Sequence, residues 1–269
     1  MPVRESEALI LRSYPFREAD VVVSFFTRDR GKLRGIANGV RRPKNNRFGV
    51  ALERMAHSRV VYMQKENAEL VGVRRAELVG PANLWKADYP ASVMLDIIAE
   101  TSDRILPDSE VQDAYFRLLR LIVEEFQRGI RGADSSGDPP AWAHRALVYF
   151  LLWSARLGGW LPPLERCIES DTPFAPDETA YFSAGREGLF RAEFKDPGAW
   201  RIPPESRTLA LRMLKSRPDQ FDDSGWPTAA AFELQRFLLQ RTQAQLESRL
   251  RGTDALQALW SDPEQATGG

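Results

Sequence analysis

The chain has 269 residues, of which 43% are hydrophobic, 28% charged and 10% aromatic; this composition is typical of a folded globular protein and excludes a disordered or collagen-like chain. Its 37 basic and 37 acidic side chains balance, but residues 1–80 hold 16 basic against 9 acidic ones, so the N-terminal part is cationic. A single cysteine, Cys167, and two histidines exclude a disulfide scaffold and a zinc finger.

The first 80 residues contain five short runs of β-branched and aromatic residues. The runs are separated by turn-prone stretches and predict strands over 8–14, 21–27, 32–40, 58–64 and 69–77. Five strands without a long helix predict a small antiparallel barrel, and the strand count fits an OB-fold and an SH3-like barrel equally well.

Helical periodicity replaces the strand pattern after Pro81. Apolar residues spaced for one helix face predict helices over 111–126 and 142–157. Two further helices are predicted over 84–106, with a break near Pro90, and over 228–250, with Thr228 as the N-cap.

A small inserted module is predicted between these helices. Residues 162–204 hold seven prolines, too many for a helix, and two candidate strands at 179–183 and 189–194. We expect a mobile surface loop over 129–140. The predicted organisation begins with a barrel domain over residues 1–80. A helical domain follows in two parts, over 81–161 and 205–262, with the inserted module over 162–204 between them. A flexible tail over 263–269 ends the chain.

Basic residues are concentrated around the third predicted strand and the loop that follows it. This stretch has one carboxylate, Asp29, and a positive field of this kind predicts a polyanion partner whose phosphates release counterions on binding. Phe48 is the candidate for base stacking. The predicted nucleic-acid-binding cations are Arg28, Arg30, Lys32, Arg34, Arg41, Arg42, Lys44 and Arg47.

Outside the basic cluster, the sequence offers few candidates for catalytic, metal-binding or partner-binding residues. The histidines, His57 and His144, lack Cys, Asp or Glu at ligand or triad spacing and are interpreted as structural. Trp160 is a candidate for lining a groove for a partner peptide. Separately, the predicted helix over 142–157, with Arg145 and Arg156, is a candidate for an apolar groove with a cationic rim. Fingerprints for hydrolases, metalloproteases, P-loops and dinucleotide binding are absent from the sequence.

Several segments resemble one bacterial family in the same order. The run 8–20 reads ALILRSYPFREAD, residues 31–34 read GKLR, residues 37–44 read ANGVRRPK, and 157–162 reads LGGWLP shortly before the LERC that ends at Cys167. This succession resembles the RecO family of recombination mediators over most of the chain.

The resemblance implies an α+β protein, with a five-stranded OB-fold barrel followed by an all-helical domain that carries a small, degenerate zinc-ribbon-like insertion. RecO-like proteins bind single- and double-stranded DNA, anneal complementary strands, engage the C-terminal tail of single-stranded-DNA-binding protein, and act with RecR to load RecA. No nucleotide hydrolysis is involved, so no enzyme activity and no cofactor are expected. The implied localisation is the cytoplasm, in association with the nucleoid.

Many members of this family hold zinc with two C-x-x-C pairs in the insertion. Here Cys167 matches the first position and Ser170 stands at the second, while the later pair is replaced near Arg191 and Phe194. No bound metal is therefore expected.

Two alternatives stay open at this point. A metal-dependent nuclease would need clustered carboxylates, and a sequence-specific regulator would need a recognition helix. The basic cluster lies in a strand-rich region, which disfavours the regulator.

Overall fold

The computed structural model describes residues 2–41, 48–64, 69–80, 84–132, 139–221 and 223–260. The chain divides into two compact units, one formed by Met1–Asp138 with Leu250–Gly269 and the other by Pro139–Arg249. This grouping differs from the predicted segments, because it places helices from both ends of the helical region in the same unit as the barrel.

The first unit is built on a closed barrel of five strands. The barrel order is β1-β2-β3-β5-β4, in which β3 and β5 are parallel and the other pairs, including the closing pair β1–β4, are antiparallel. The predicted OB-fold barrel is confirmed. The strands are β1 (Val3–Phe16), β2 (Asp20–Thr27), β3 (Gly31–Ala37), β4 (His57–Met63) and β5 (Val71–Leu78).

Alternation along the strands sends one set of apolar side chains into the barrel. On β2, for example, Val21, Val23 and Phe25 point inward, because successive side chains of a strand face opposite sides. Phe25 meets Tyr62 edge to face, with ring centroids 5.9 Å apart. The interior also contains Ala8, Ile10, Leu33, Ala37, Phe48, Leu52, Val60, Val71, Val73 and Ala76.

Where the structure describes the first unit, its helices are α1 (Tyr89–Ile105), α2 (Asp113–Gly132) and, near the C-terminus, α6 (Thr253–Ala258). The predicted break near Pro90 is the start of α1, since the Asp88 side chain accepts a hydrogen bond from the Ala91 N–H at 2.8 Å and a proline fits the first turn of a helix. A separate 3₁₀ turn precedes it at Leu84–Lys86.

Helices α1 and α2 cover part of the barrel's outer side. The outward-facing Phe26 ring packs against Tyr115 and Phe116, with centroids 6.3 and 5.8 Å away. The Ser24 hydroxyl donates to the Asp103 carboxylate at 2.5 Å. Beyond these contacts the outer side carries the exposed Arg12, Tyr14 and Arg34, while Val22 of β2 is buried, and this part carries the candidate site.

The second unit contains three helices and a two-stranded sheet. Helix α5 packs against α3 and α4, while β6 and β7 pair antiparallel. The elements are α3 (Ala141–Leu157), β6 (Ala180–Phe182), β7 (Trp200–Ile202), α4 (Pro204–Met213) and α5 (Thr228–Gln245).

The structure corrects some sequence predictions in this unit. The predicted strand over 189–194 is an isolated bridge from Phe190 to Tyr181 followed by a 3₁₀ turn, and the strand that pairs with β6 is β7. Helix α5 ends at Gln245, five residues before the predicted end, because the chain turns out of the helix where Glu247 adopts a φ of 51°. Thr228 is the first helical residue and caps nothing, since Pro227 holds the N-cap position.

Two smaller features concern the rest of the described chain. Helix α2 extends through Gly132, so the first residues of the predicted loop over 129–140 are helical. Across the described ranges, none of the helices combines the length and apolar character that a membrane crossing requires.

Candidate nucleic-acid interface

The predicted cations at the β2–β3 turn are engaged by carboxylates. Arg28 approaches Glu7 at 3.9 Å and Asp113 at 3.6 Å, and Arg30 approaches the neighbouring Asp29 at 3.6 Å. These guanidinium groups are more than half exposed, so each pair is weak. Nearby carboxylates nevertheless repel phosphate, which makes this end of the barrel a poor site for a polyanion.

Lys32 has a structural position and not a surface one. Its side chain is 6% exposed, and its ammonium group donates to the Asp103 backbone oxygen at 2.7 Å and lies 3.1 Å from an Asp108 carboxylate oxygen. This arrangement ties β3 to the chain that follows α1, where Ser109 N–H also donates to the Lys32 carbonyl at 2.9 Å. The interpretation of Lys32 as a phosphate contact is corrected, because a buried, paired ammonium group cannot reach a ligand.

The outer side of β1, β2 and β3 presents two arginines in one row. Arg12 stands opposite Ser24, and Ser24 stands opposite Arg34, so the three side chains point to the same side of the sheet with neighbours about 5 Å apart at Cβ. Both arginines are exposed, and neither has an ion pair within the described ranges.

The next row on this outer side is aromatic and apolar. Tyr14 stands opposite Val22, which stands opposite Ile36. Tyr14 is 41% exposed, and the Arg12 guanidinium lies over its ring, 5.6 Å from the centroid. A neighbouring pair repeats this contact at the end of β1, where Arg17 lies 5.1 Å from the ring centroid of the half-buried Phe16.

The turn after β1 and the segment after β3 meet at one end of the barrel. Arg41 N–H donates to the Ala19 carbonyl at 3.0 Å, and Gly39 N–H donates to the Asp20 carboxylate at 2.9 Å. These bonds bring the exposed Arg17 and Arg41 to the same end. We call the whole surface the β1–β3 face; it comprises Arg12, Tyr14, Phe16, Arg17, Arg34, Ile36 and Arg41.

Three predicted cations, Arg42, Lys44 and Arg47, lie outside the described residues. Phe48, the predicted stacking residue, is described: it is 3% exposed and belongs to the barrel core. This corrects the sequence interpretation, since a ring that fills the barrel interior has no face free for a base.

Sequence reasoning missed Arg12, Tyr14 and Arg17 as members of the site. The signal was present, because Arg12, Tyr14 and Phe16 alternate along β1 and such a period of two places them on one face of a strand. The register shift between Ile10 and Arg12 hid the pattern. Upstream of it the outward position is Leu9, which is buried.

The residues predicted to bind a partner lie in the second unit and differ in character. Arg145 is 6% exposed and pairs with the Asp223 carboxylate, so its assignment to an exposed rim is corrected. Arg156 is exposed and Trp160 is half-buried, and both keep their predicted role as a hypothesis.

The two histidines have distinct surroundings. His57 Nε2 lies 2.7 Å from a Glu7 carboxylate oxygen in the first unit. His144 is fully buried in the second unit and accepts a hydrogen bond from the Trp226 indole at 3.2 Å. Burial lowers the pKa of His144 from 6.5 to about 4, although a hydrogen bond with Gln235 acts in the opposite direction. Among the described residues no group of three or more His, Cys, Asp or Glu side chains is placed to hold a metal ion.

Comparison with known proteins gives consistent matches along the chain. The family model described as "Recombination protein O N terminal" matches residues 1–82, and that described as "Recombination protein O C terminal" matches residues 86–254. The DNA repair protein RecO of Koribacter versatilis strain Ellin345 is 34% identical over 248 residues, which cover 92% of this chain and 96% of that protein.

Two other similar proteins carry the same description. The DNA repair protein RecO of Bifidobacterium adolescentis is 31% identical over 199 residues, covering 73% of this chain and 76% of that protein. The DNA repair protein RecO of Streptomyces griseus subsp. griseus is 28% identical over 239 residues, covering 87% and 88% respectively.

Proposed function

The chain belongs to the RecO family of DNA repair proteins, and we propose from this that it is a recombination mediator that binds single- and double-stranded DNA through the β1–β3 face. In this proposal it anneals complementary strands and, together with RecR, helps to load RecA onto DNA covered by single-stranded-DNA-binding protein. It makes and breaks no covalent bond and needs no cofactor.

One observation supports the choice of surface. Arg12, Arg17, Arg34 and Arg41 are exposed and lack ion pairs within the described ranges, whereas Arg28, Arg30 and Lys32 are engaged by carboxylates. A guanidinium without a carboxylate partner can form a forked hydrogen bond with a phosphate and release its condensed counterions. The β1–β3 face therefore brings together four arginines without an ion pair in the described ranges, and the carboxylate that its contacts place nearby is that of Asp103, which accepts from Ser24 between Arg12 and Arg34.

The aromatic row favours an unpaired strand as one of the ligands. Bases of a single strand expose their faces, and a base stacked on an aromatic side chain contributes about 1 to 3 kcal/mol regardless of its identity. Tyr14 offers such a surface between Arg12 and Arg17, and a strand running across it would place its phosphates beside the arginines.

The salt dependence of DNA binding tests the surface directly. For single strands the logarithm of the binding constant falls with the logarithm of salt concentration by about 0.7 per neutralised phosphate, so about six contacts give a slope near −4. We expect the double variant Arg34→Gln, Arg41→Gln to bind more weakly and to reduce the magnitude of this slope by about 1.4.

A matched control comes from the same predicted cluster. The double variant Arg28→Gln, Arg30→Gln removes the same charge but from groups already faced by carboxylates, and it should leave the slope nearly unchanged. Equal slopes for both double variants would refute the β1–β3 face as the binding surface. Magnesium-dependent cleavage of the DNA in the same samples would favour the nuclease alternative instead.

A further inference from the structure

The insertion between α3 and α4 keeps the outline of a metal-binding module but not its ligands. The resemblance implies two C-x-x-C pairs that hold zinc; here Cys167 matches the first position, Ser170 stands at the second, and the later pair is replaced near Arg191 and Phe194. Zinc in structural sites takes four nitrogen or sulfur donors. One thiol, one hydroxyl, a permanent cation and a phenyl ring do not meet that requirement.

The turn at Cys167 is nevertheless shaped to surround its sulfur atom. The thiol is buried, and the groups that act to lower its pKa are the Ser170 hydroxyl and the backbone N–H groups of Ser170, Glu169 and Arg191. Successive N–H groups directed at one point favour negative charge there. Burial acts to raise the pKa of the Cys167 thiol, but these hydrogen bonds together outweigh it and lower the pKa below its usual value.

The guanidinium of Arg191 connects the same segments that a metal ion would connect. Its Nη1 donates to the Ser170 hydroxyl at 3.1 Å and to the Thr172 hydroxyl. Its Nη2 donates to the Pro173 carbonyl at 2.6 Å, and its Nε donates to the Glu178 carboxylate at 2.7 Å. One side chain thus bridges the turn after Cys167, the segment that follows this turn, and the later half of the module.

A second arginine extends the connection to helix α4. Two guanidinium groups lie over the Phe174 ring, that of Arg191 at 5.7 Å and that of Arg207 at 4.7 Å from its centroid. Arg207, in α4, is 6% exposed and donates to the backbone carbonyls of Ala175 and Glu178. Glu178 therefore accepts hydrogen bonds from Arg191 through its carboxylate and from Arg207 through its backbone carbonyl.

We propose that Arg191 performs in this chain the structural role that zinc performs in zinc-holding members, by cross-linking the two halves of the module through its forked hydrogen bonds. The guanidinium suits this role because it remains charged at all accessible pH values and presents five donors in a fixed plane. The module then folds without a metal, and its stability depends on one side chain instead of four thiolates.

The first test compares variants of the full chain by thermal unfolding and by limited proteolysis of the module. We expect Arg191→Met to lower the melting temperature by roughly 5 to 10 °C, as the loss of a partly buried network does in a unit of this size, and to expose residues 162–203 to protease. Arg191→Lys should recover only part of the loss, because an ammonium group cannot form the fork. The control Arg201→Met removes an exposed arginine of β7 and should leave both measurements unchanged.

The second test restores the thiols. The triple variant Ser170→Cys, Arg191→Cys, Phe194→Cys should bind one Co²⁺ per chain, with the absorption of tetrahedral thiolate coordination, and should be protected from protease by Zn²⁺ but not in the presence of EDTA. The unaltered chain should show neither effect.

Three results would overturn the proposal. The first is that the Arg191→Met variant is as stable as the unaltered chain. The second is that one equivalent of zinc copurifies with the unaltered chain and that removal of this zinc lowers the melting temperature. The third is that the triple variant binds no Co²⁺. The last result would show that these positions do not converge as the ligands of a metal ion must.

Discussion

Tyr14 is a residue for which exposure and position point to one role. It stands on the outer side of the barrel and is 41% exposed, with Arg12 lying over its ring. We expect Tyr14→Leu to weaken the binding of a single strand roughly tenfold, since about 1 to 3 kcal/mol of stacking is lost. The salt dependence of single-strand binding by this variant should stay the same, because no phosphate contact is removed. Fluorescence anisotropy of a labelled oligonucleotide measures both quantities.

A matched control distinguishes stacking from a general loss of aromatic surface. Tyr89, at the start of α1, is 66% exposed and lies outside the β1–β3 face, so Tyr89→Leu should leave single-strand affinity intact. If both substitutions weaken binding equally, the aromatic row is not a stacking surface.

His144 makes the second unit sensitive to acid. Burial favours the neutral ring and lowers the pKa from 6.5 to about 4, so below pH 6.5 the unfolded chain binds a proton that the folded chain does not. The contribution to stability is therefore complete above about pH 6.5 and is lost as the pH falls towards 4, by about 3 kcal/mol in total.

Urea unfolding at pH 7 and at pH 4.5 checks this expectation. The free energy of unfolding should fall between these values by about 2 kcal/mol more in the unaltered chain than in His144→Gln, which cannot titrate. The comparison cancels the carboxylates common to both proteins. An equal fall in the two proteins would mean that His144 is protonated in the folded state.

At the scale of elements, the β2–β3 turn depends on a close approach of the chain that follows α1. Gly31 has a φ of +73°, and a Cβ atom there would lie 2.2 Å from the Glu110 carbonyl oxygen. Gly49 has a φ of +51°, but no atom of the described residues lies within 4 Å of an added Cβ there. Both alanine substitutions place a side chain on a residue with left-handed backbone angles, which costs about 1 to 2 kcal/mol of stability. Only Gly31→Ala also forces the turn away from the segment at Glu110, which costs about 1 to 3 kcal/mol of additional stability.

Denaturant unfolding of the two alanine variants separates these effects. Gly31→Ala should be less stable than Gly49→Ala by that additional amount, because separation of the segments also strains the Lys32–Asp108 contact. Equal losses would show that the turn accommodates a side chain and that the close approach is not needed.

The elements also show which features a sequence can reveal. Strand β2 was predictable because Val21, Val22 and Val23 precede two phenylalanines, and so was α1, except for the 3₁₀ turn before Asp88. The burial of Lys32 was not, because its partners Asp103 and Asp108 are more than 70 residues away in the chain and local spacing carries no information about such contacts.

The candidate site was predictable only in part for the same reason. Composition identified a cationic region, and Arg34 and Arg41 remain exposed within it. The carboxylates that engage Arg28 come from β1 and α2, through Glu7 and Asp113. Only the folded arrangement distinguishes cations that face carboxylates from cations that do not, and this distinction is the reason why we propose the β1–β3 face and not the β2–β3 turn as the binding surface.

At the scale of the whole molecule, the two units interleave along the chain. Residues after Arg249 return to the first unit, where Arg251 N–H donates to Glu100 at 2.9 Å and Leu256 is fully buried. The unit that contains the barrel is therefore completed by the C-terminal segment, and a variant shortened to Arg249 would disturb the barrel unit and not only the helices that precede the cut.

Strand annealing measures whether the proposed DNA surface and the predicted partner surface act independently. Naked strands require only the DNA surface, so Arg34→Gln, Arg41→Gln should slow their annealing and that of strands coated with single-stranded-DNA-binding protein alike. The double variant Arg156→Gln, Trp160→Ala should slow annealing of coated strands alone, since an acidic, apolar tail is recognised by cations and aromatic rings.

A charge-matched change elsewhere in the second unit makes the comparison specific. Arg201→Gln removes an exposed arginine of β7 and should affect neither substrate, because it belongs to neither surface. If Arg156→Gln, Trp160→Ala anneals coated strands at the normal rate, the partner binds elsewhere. If it is equally slow on naked strands, those residues act on the DNA itself and not on the partner.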